Sequence, residues 1–360
     1  MSEVRLIGCS LSAAPGRLGP EGSVFEGRRK TVLGIFCALV LGFTVFVSDA
    51  FSQNIEKARQ QGKVVVYSSM GSSDVNAVAR AFERKYPFIK LEPYRTSSEK
   101  TLVRLVNEHR ARKYLGDVVT VDGIQAAVLK EHRILDRYVS QEAAHFSPQW
   151  QDPDGYWTAI HQILFVMAYN TRLVFQSDAP KRYEDLLLPR WKGKLGMDTE
   201  EYYWFGSMLE LMGREKGLEF MRRLAGQEPN FRKGHTLLTE LLSAGEFPVS
   251  VAVYQHRVDE FLAKGAPVQW VLTDPLIGSP RHHISLLTGA PRPDAAKVFI
   301  DFILSAEGQQ VLRERGRIVG RKGIEPSNPK VKQAKIFTLP VSAEKYDQLI
   351  KEFQQHFKTH

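Results

Sequence analysis

Lys63-Val64-Val65-Val66-Tyr67, followed by Ser68-Ser69-Met70-Gly71-Ser72-Ser73, is the stretch on which the fold turns. Adjacent valines without polar alternation form the pattern of a strand buried on both faces of a parallel sheet. The small polar loop leads into a helix with Val75, Val78 and Phe82 at helical spacing, stopped before Pro87. The unit then repeats. Phe88 to Glu92 reads as a second strand, Ser98 to Arg112 as a helix with Leu102, Leu105 and Val106 inward, and Asp117 to Asp122 as a third strand. A helix through Ala126, Ala127 and Leu129 follows, and a short helix from Ile55 to Gln61 precedes the set, closed by Gly62. Strand and helix in this alternation predict an open parallel sheet with helices on both faces.

A second α/β unit begins after Trp157. Ile163 to Tyr169 is a long apolar strand suited to running between two domains, and Val268 to Leu272 is a second candidate for such a crossing. Between them, Gly193 to Asp198 and Pro248 to Tyr254 read as strands. Thr199 to Met212, Leu218 to Leu224, Thr236 to Leu242 and Arg257 to Ala263 read as helices. Ile284 to Leu287 returns the chain to the first unit, and Asp294 to Arg315 reads as one long amphipathic helix.

The N-terminal region has a different character. Residues 31–47 are uncharged, follow Arg28-Arg29-Lys30 and are closed by Ser48-Asp49-Ala50. Basic, apolar and small segments in that order predict a secretory signal peptide over 1–50, cut after Ala50, with a retained anchor as the alternative. No later run approaches the ~18 apolar residues of a membrane span. Both cysteines, Cys9 and Cys37, lie inside that leader, so the mature chain has no disulfide, thiolate nucleophile or cysteine metal site. The net charge of +9 includes one unit from the leader, whose five basic residues face four acidic ones. The remaining excess is dispersed, with no basic-aromatic stripe, which argues against a nucleic-acid partner and fits anionic ligands.

Several segments carry a resemblance: Val64 to Ser69, Ala81-Phe82-Glu83-Arg84-Lys85-Tyr86-Pro87, Tyr169-Asn170-Thr171, Pro189 to Lys194, Ala244-Gly245-Glu246 and Ser305 to Gln309. In this order the set resembles bacterial extracellular solute-binding proteins that serve ABC importers, close to the ferric-iron-binding branch. The resemblance implies an α/β, type II periplasmic-binding-protein fold, with two lobes joined by two crossing strands and the ligand in the cleft between them. Lobe 1 is expected over 51–165 and 280–335, lobe 2 over 166–279, and a C-terminal helical segment over 336–360. It also implies a monomer in the periplasm that captures a small-molecule ligand by hinge closure, without a cofactor. The loaded protein would dock on an ABC permease in the inner membrane; a ligand-sensing module for a receptor is the alternative of another class.

Ligands of open α/β sheets sit beyond the carboxyl ends of strands. The polar residues there are the candidates: Ser68 and Ser69, Asp122, Asp198, Thr199 and Tyr203, and Tyr254, Gln255 and Arg257. Hydroxyls before a helix N-terminus and an arginine fork suit a carboxylate or phosphate, so a small anionic organic solute is expected. Tyr202-Tyr203-Trp204 spread over roughly 200° of helix, so at least one should face the cleft or solvent. The ferric branch uses adjacent tyrosines where this chain has Gln255 and His256, with Tyr254 beside them. Its first-loop histidine falls near Gly71. An iron site would therefore draw on Asp122, Tyr254 and His256. His282 and His283 are neighbours on a strand and point to opposite faces, so they do not share one metal. No nucleophile elbow, metalloprotease helix, phosphate loop or dinucleotide fingerprint is present, and no enzyme is expected.

Overall fold

The computed structural model describes residues 55–358; the leader and its cleavage point lie outside the described residues. The chain begins with a helix over 55–61 (α1). It continues through β1 (Lys63–Ser68), α2 (Ser72–Lys85), β2 (Lys90–Arg95), α3 (Ser98–Arg110), β3 (Val118–Asp122), α4 (Gly123–Glu131), β4 (Leu135–Asp136) and β5 (Thr158–His161). A second group follows: β6 (Leu164–Asn170), β7 (Leu195–Asp198), α5 (Tyr202–Met212), α6 (Arg214–Ala225), β8 (Asn230–Arg232), α7 (His235–Ala244), β9 (Val249–Tyr254), α8 (Gln255–Ala263), β10 (Val268–Trp270) and β11 (Leu276–Gly278). The chain then supplies β12 (His282–Leu287), α9 (Pro293–Leu304) and α10 (Ala306–Glu314) to the first group. It ends with α11 (Pro329–Lys332), β13 (Ile336–Thr338) and α12 (Ala343–Phe357) against the second.

Two sheets result. The first has the order β2-β1-β3-β12-β4, with β5 also on β12; the second runs β13-β11-β6-β9-β7-β8, with β10 also on β6. Neither is purely parallel. β1 pairs in parallel with β2 and β3, but β12 enters antiparallel to β3. β7 is parallel to β8 and β9, while β6 is antiparallel to β9 and β11. The reversals follow from the connections, because a strand arriving from the other lobe enters its sheet from the opposite end.

Each sheet has its own apolar core. Phe82 of α2 meets Phe299 and Phe302 of α9 edge-on, with ring centroids 5.2 and 5.4 Å apart. In the second lobe Trp204 and Phe205 of α5 are fully buried, and Phe353 of α12 lies edge-on to Phe205. α12 covers the outer side of α5, and of residues 202–204 only Tyr202 keeps part of its surface exposed, in line with the expectation that one of them is not buried. Tyr202 packs on Tyr346 and Phe353, while Tyr203 and Trp204 turn inward.

Other expectations shift. β6 lies wholly in the second sheet and β10 pairs with it there, so neither is a crossing strand. The single helix expected over 294–315 is broken at Ser305, whose extended backbone and hydroxyl cap α10 by accepting from Gly308 N at 3.2 Å. At Gly308 a Cβ would overlap the Phe302 carbonyl, so only glycine lets the two helices approach.

Asp117 ties the first lobe together from a fully buried position. Its carboxylate accepts from Val65 N at 2.7 Å, from Arg292 N at 2.9 Å and from Arg292 Nε at 2.8 Å. Asp117→Ala leaves these buried donors unmatched and should cost about 3–5 kcal/mol, measured by denaturant unfolding. Asp117→Asn, which keeps an acceptor, should cost less.

Candidate functional site

Between the lobes the chain passes at 162–163, at 279–281 and a third time between α10 and α11. Gln162, buried, joins all three passages. Its backbone exchanges hydrogen bonds with Ile318, and its side-chain amide donates to Ser279 O at 2.6 Å and Thr338 Oγ1 at 2.7 Å. Ser279 N also donates to Ile163 O at 2.8 Å. This knot sits beside the carboxyl ends of β3 and β9, and the candidate site surrounds it.

On the first lobe, strand register builds the site. His282 lies opposite Asp122 on one side and opposite His161 on the other. The three side chains therefore form one row, with the His161 and His282 rings stacked 4.9 Å apart. His282 Nδ1 lies 3.1 Å from Asp122 Oδ1 and Nε2 lies 3.3 Å from Ser69 Oγ. Ser98 Oγ lies 2.7 Å from Ser69 Oγ and 2.8 Å from Asp122 Oδ2, and its single proton serves one of these two acceptors at a time. Loss of solvent around Asp122 pushes its pKa up, but the His282 hydrogen bond and charge and the Ser98 hydrogen bond outweigh that and hold it below the usual carboxylate range. Ser68 points the other way, its hydroxyl accepting from Thr120 Oγ1 and Met70 N.

On the second lobe, the parallel neighbours β7, β8 and β9 end side by side. Asp198 accepts from Glu200 N at 3.0 Å and Gly234 N at 2.8 Å, a local turn that delays α5 until Tyr202 instead of the expected Thr199. Thr199 continues the edge, its N–H given to Arg232 O. Tyr254 stacks on His235 at 3.6 Å, and Phe165 lies 5.5 and 5.7 Å from these two rings. Burial, reinforced by the charges of Glu201, Asp122 and Asp198, pushes the Tyr254 phenol well up. Tyr203, Gln255 and Arg257 are committed elsewhere: Tyr203 donates to Leu339 O at 2.6 Å, Gln255 to Asp259, and Arg257 to Glu260 on the same helix.

Arg317, from the third passage, touches both lobes. It donates to Asp74 of α2 from Nε at 2.8 Å, and its Nη1 lies 2.8 Å from His256 Nε2 and 2.9 Å from Nδ1. Burial and the Arg317 charge hold His256 neutral, well below the usual histidine range. The helices facing this region, α2, α4 and α8, begin at Gly71, Asp122 and Tyr254 without a side-chain cap. Their free N–H groups and dipoles favour negative charge nearby. Among the described residues, no three His, Cys, Asp or Glu side chains converge as a metal site.

Of the residues expected from the sequence, Ser69, Asp122, Asp198 and Tyr254 lie in this region; Ser98, His161, His235, Glu201, His256's partner Arg317, and His282 lie beside them and were not among the expected ligand contacts. The adjacent histidines at 282–283 were a visible signal. Their alternation places His282 in the row and His283 against Trp157, stacked at 3.9 Å.

The comparisons agree with this architecture. The pattern of the bacterial extracellular solute-binding protein family matches residues 118–338. That is more than half of the chain, which therefore belongs to this family of solute-binding proteins, not of enzymes. Among curated relatives, an uncharacterized protein of Haemophilus influenzae is 24% identical over 274 residues, 72% of this chain and 78% of its own length. The Fe(3+)-binding periplasmic protein of Serratia marcescens is 23% identical over 239 residues, 62% and 69% of the two chains. Among solved structures, the periplasmic binding protein AfuA of Actinobacillus pleuropneumoniae, bound to fructose-6-phosphate, superposes with a TM-score of 0.68 at 21% identity, covering 83% of this chain and 99% of its own. Iron-bound HitA of Pseudomonas aeruginosa gives 0.66 at 17%, covering 82% and 97%. The fold is that of the two-lobed, type II periplasmic binding proteins.

The buried rings make stability depend on pH. Burial pushes His235 down to about 3; burial, with the His282 charge second, does the same to His283. Unfolded histidine titrates near 6.5. Between about 6.5 and 3 the unfolded chain binds protons that the folded one refuses, so stability falls as the pH falls through that window. Each ring can contribute up to about 1.4 kcal/mol per pH unit. Denaturation midpoints should drop between about pH 7 and about pH 5, and His283→Gln should flatten the slope. Equal midpoints would show that the folded protein protonates these rings freely.

Proposed function

We propose that this chain is the periplasmic substrate-binding component of an ABC importer. It captures a small organic solute bearing an anionic group, closes its lobes on it and delivers it to a permease in the inner membrane. The observation that carries the reading is the set of helix N-termini around Arg317. The guanidinium is engaged by Asp74 of one lobe through Nε and Nη2 and by His256 of the other through Nη1, while α2, α4 and α8 begin beside it without side-chain caps, and their unmatched N–H groups favour a carboxylate or phosphate.

Ferric iron is the weaker fit. Among the described residues no three His, Cys, Asp or Glu side chains converge as a metal site, and Tyr254 is followed by Gln255 and His256 instead of a second phenol. Tyr202 and Tyr203, the adjacent tyrosines of this chain, are engaged with α12 and with Leu339.

A thermal-shift screen of small carboxylates and organic phosphates should find stabilising compounds, by about 2.7 kcal/mol at a hundredfold excess over Kd. Arg317→Lys keeps the charge but loses the fork that engages Asp74 and His256, and should weaken binding of such a compound at least about tenfold. A stoichiometric visible band with ferric citrate, lost in Tyr254→Phe, would overturn the reading in favour of iron.

Export follows the same proposal. N-terminal sequencing of the protein recovered from the periplasm should begin at Phe51. Retention with Met1 intact would overturn the cleavage.

A further inference from the structure

Glu201 precedes α5 at the carboxyl end of β7, and only 1% of it is exposed. Neither carboxylate oxygen has a hydrogen-bond partner. The nearest polar group, Nδ1 of His235, lies 3.4 Å from Oε1 but is itself without a hydrogen-bond partner. The basic side chains close by in sequence are engaged elsewhere: Lys233 with Glu200, and Arg232 with Glu246. A buried carboxylate without donors carries a desolvation penalty of several kcal/mol, so an orphan of this kind calls for an explanation.

Its surroundings describe the missing partner. Asp198 Oδ2 stands 4.0 Å from the other nitrogen of His235, so two acids flank one imidazole. The rings of His235, Tyr254 and Phe165 form an aromatic wall beside them. Carboxylates set against aromatic faces favour a compact organic cation, because ring quadrupoles and acid oxygens both attract positive charge. Burial, with the charge of Asp198 behind it, already pushes the Glu201 acid well up, as expected of a site whose counter-charge arrives with a ligand.

We propose that Glu201 and Asp198, walled by Tyr254, His235 and Phe165, receive a protonated amine carried by the bound solute. This rests on the reading of the uncapped helix N-termini around Arg317 as the anion site, and it makes the ligand a zwitterion with its two ends held by different groups. An ammonium has three N–H donors; both oxygens of Glu201 are vacant, and each oxygen of Asp198 keeps one lone pair beyond its backbone hydrogen bond.

Matched probes test this: β-alanine against propionate, γ-aminobutyrate against butyrate, and phosphoethanolamine against ethyl phosphate, by calorimetry on the full mature chain. In at least one pair the amine should bind at least about tenfold tighter than its deaminated partner, the scale of a charge-assisted hydrogen bond. Glu201→Gln should remove that preference. If anions bind and the amine confers no advantage, or if a folded Glu201→Gln keeps the preference, the amine site is overturned while the anion reading stands. If no member of any pair binds, the anion reading falls and the amine site with it. Should Glu201→Gln fail to fold, the wild-type pairs alone decide.

Discussion

One buried glutamine holds together the three places where the chain changes lobe. Gln162 binds the second passage through Ser279 and the third through Ile318, and reaches Thr338 at the edge of the second sheet. A backbone running between two lobes exposes amides that neither sheet satisfies, and buried amides without partners are costly. Gln162 and Ser279 supply the missing partners locally. The passages are therefore tied to one another and to neither sheet interior, the arrangement a hinge requires. Gly278 fits the same constraint, since a Cβ there would run into the Gln162 amide.

The cleft around this knot is assembled from two unlike halves. The first lobe offers a polar cluster, Asp122, Ser98, Ser69 and His282, whose members lie within hydrogen-bond distance of one another. The second offers aromatic faces and acids that do not. Arg317 belongs to neither half and contacts both. Such a division places mutually bonded polar groups on one side and unmet valence on the other. Asp122, His282 and Ser69 touch in the order of a hydrolase triad, yet Ser69 is also locked by Ser98, and the family binds solutes without turning them over.

Much of this was written locally and so was legible in the sequence. The unbroken Val64–Val66 run forced a doubly buried strand, and Val75, Val78 and Phe82 forced the helix behind it. The ordered segments identified the family, and strand ends gave Ser69, Asp122, Asp198 and Tyr254. What failed was non-local. The antiparallel entries of β6 and β12 depend on which end of a sheet the chain reaches, which no window of residues encodes. The outer cover of the aromatic run at 202–204, α12, arrives more than a hundred residues later. Arg317 resembled any surface arginine, and only the third passage brings it between Asp74 and His256. His235 opened a helix without a motif around it. Its meaning comes from β8 lying beside β7, which places it under Tyr254.

The three passages also dictate when the molecule can finish. β12 joins β3 across 160 residues, after the chain has laid out most of the second lobe. β13 closes the edge of the second sheet only after α9 and α10 have gone back to the first. Neither lobe is complete before the other has been largely synthesised, and contacts so distant along the chain form slowly. A polypeptide wired this way completes neither sheet until nearly its last residues are available, so the two lobes finish together and not one after the other.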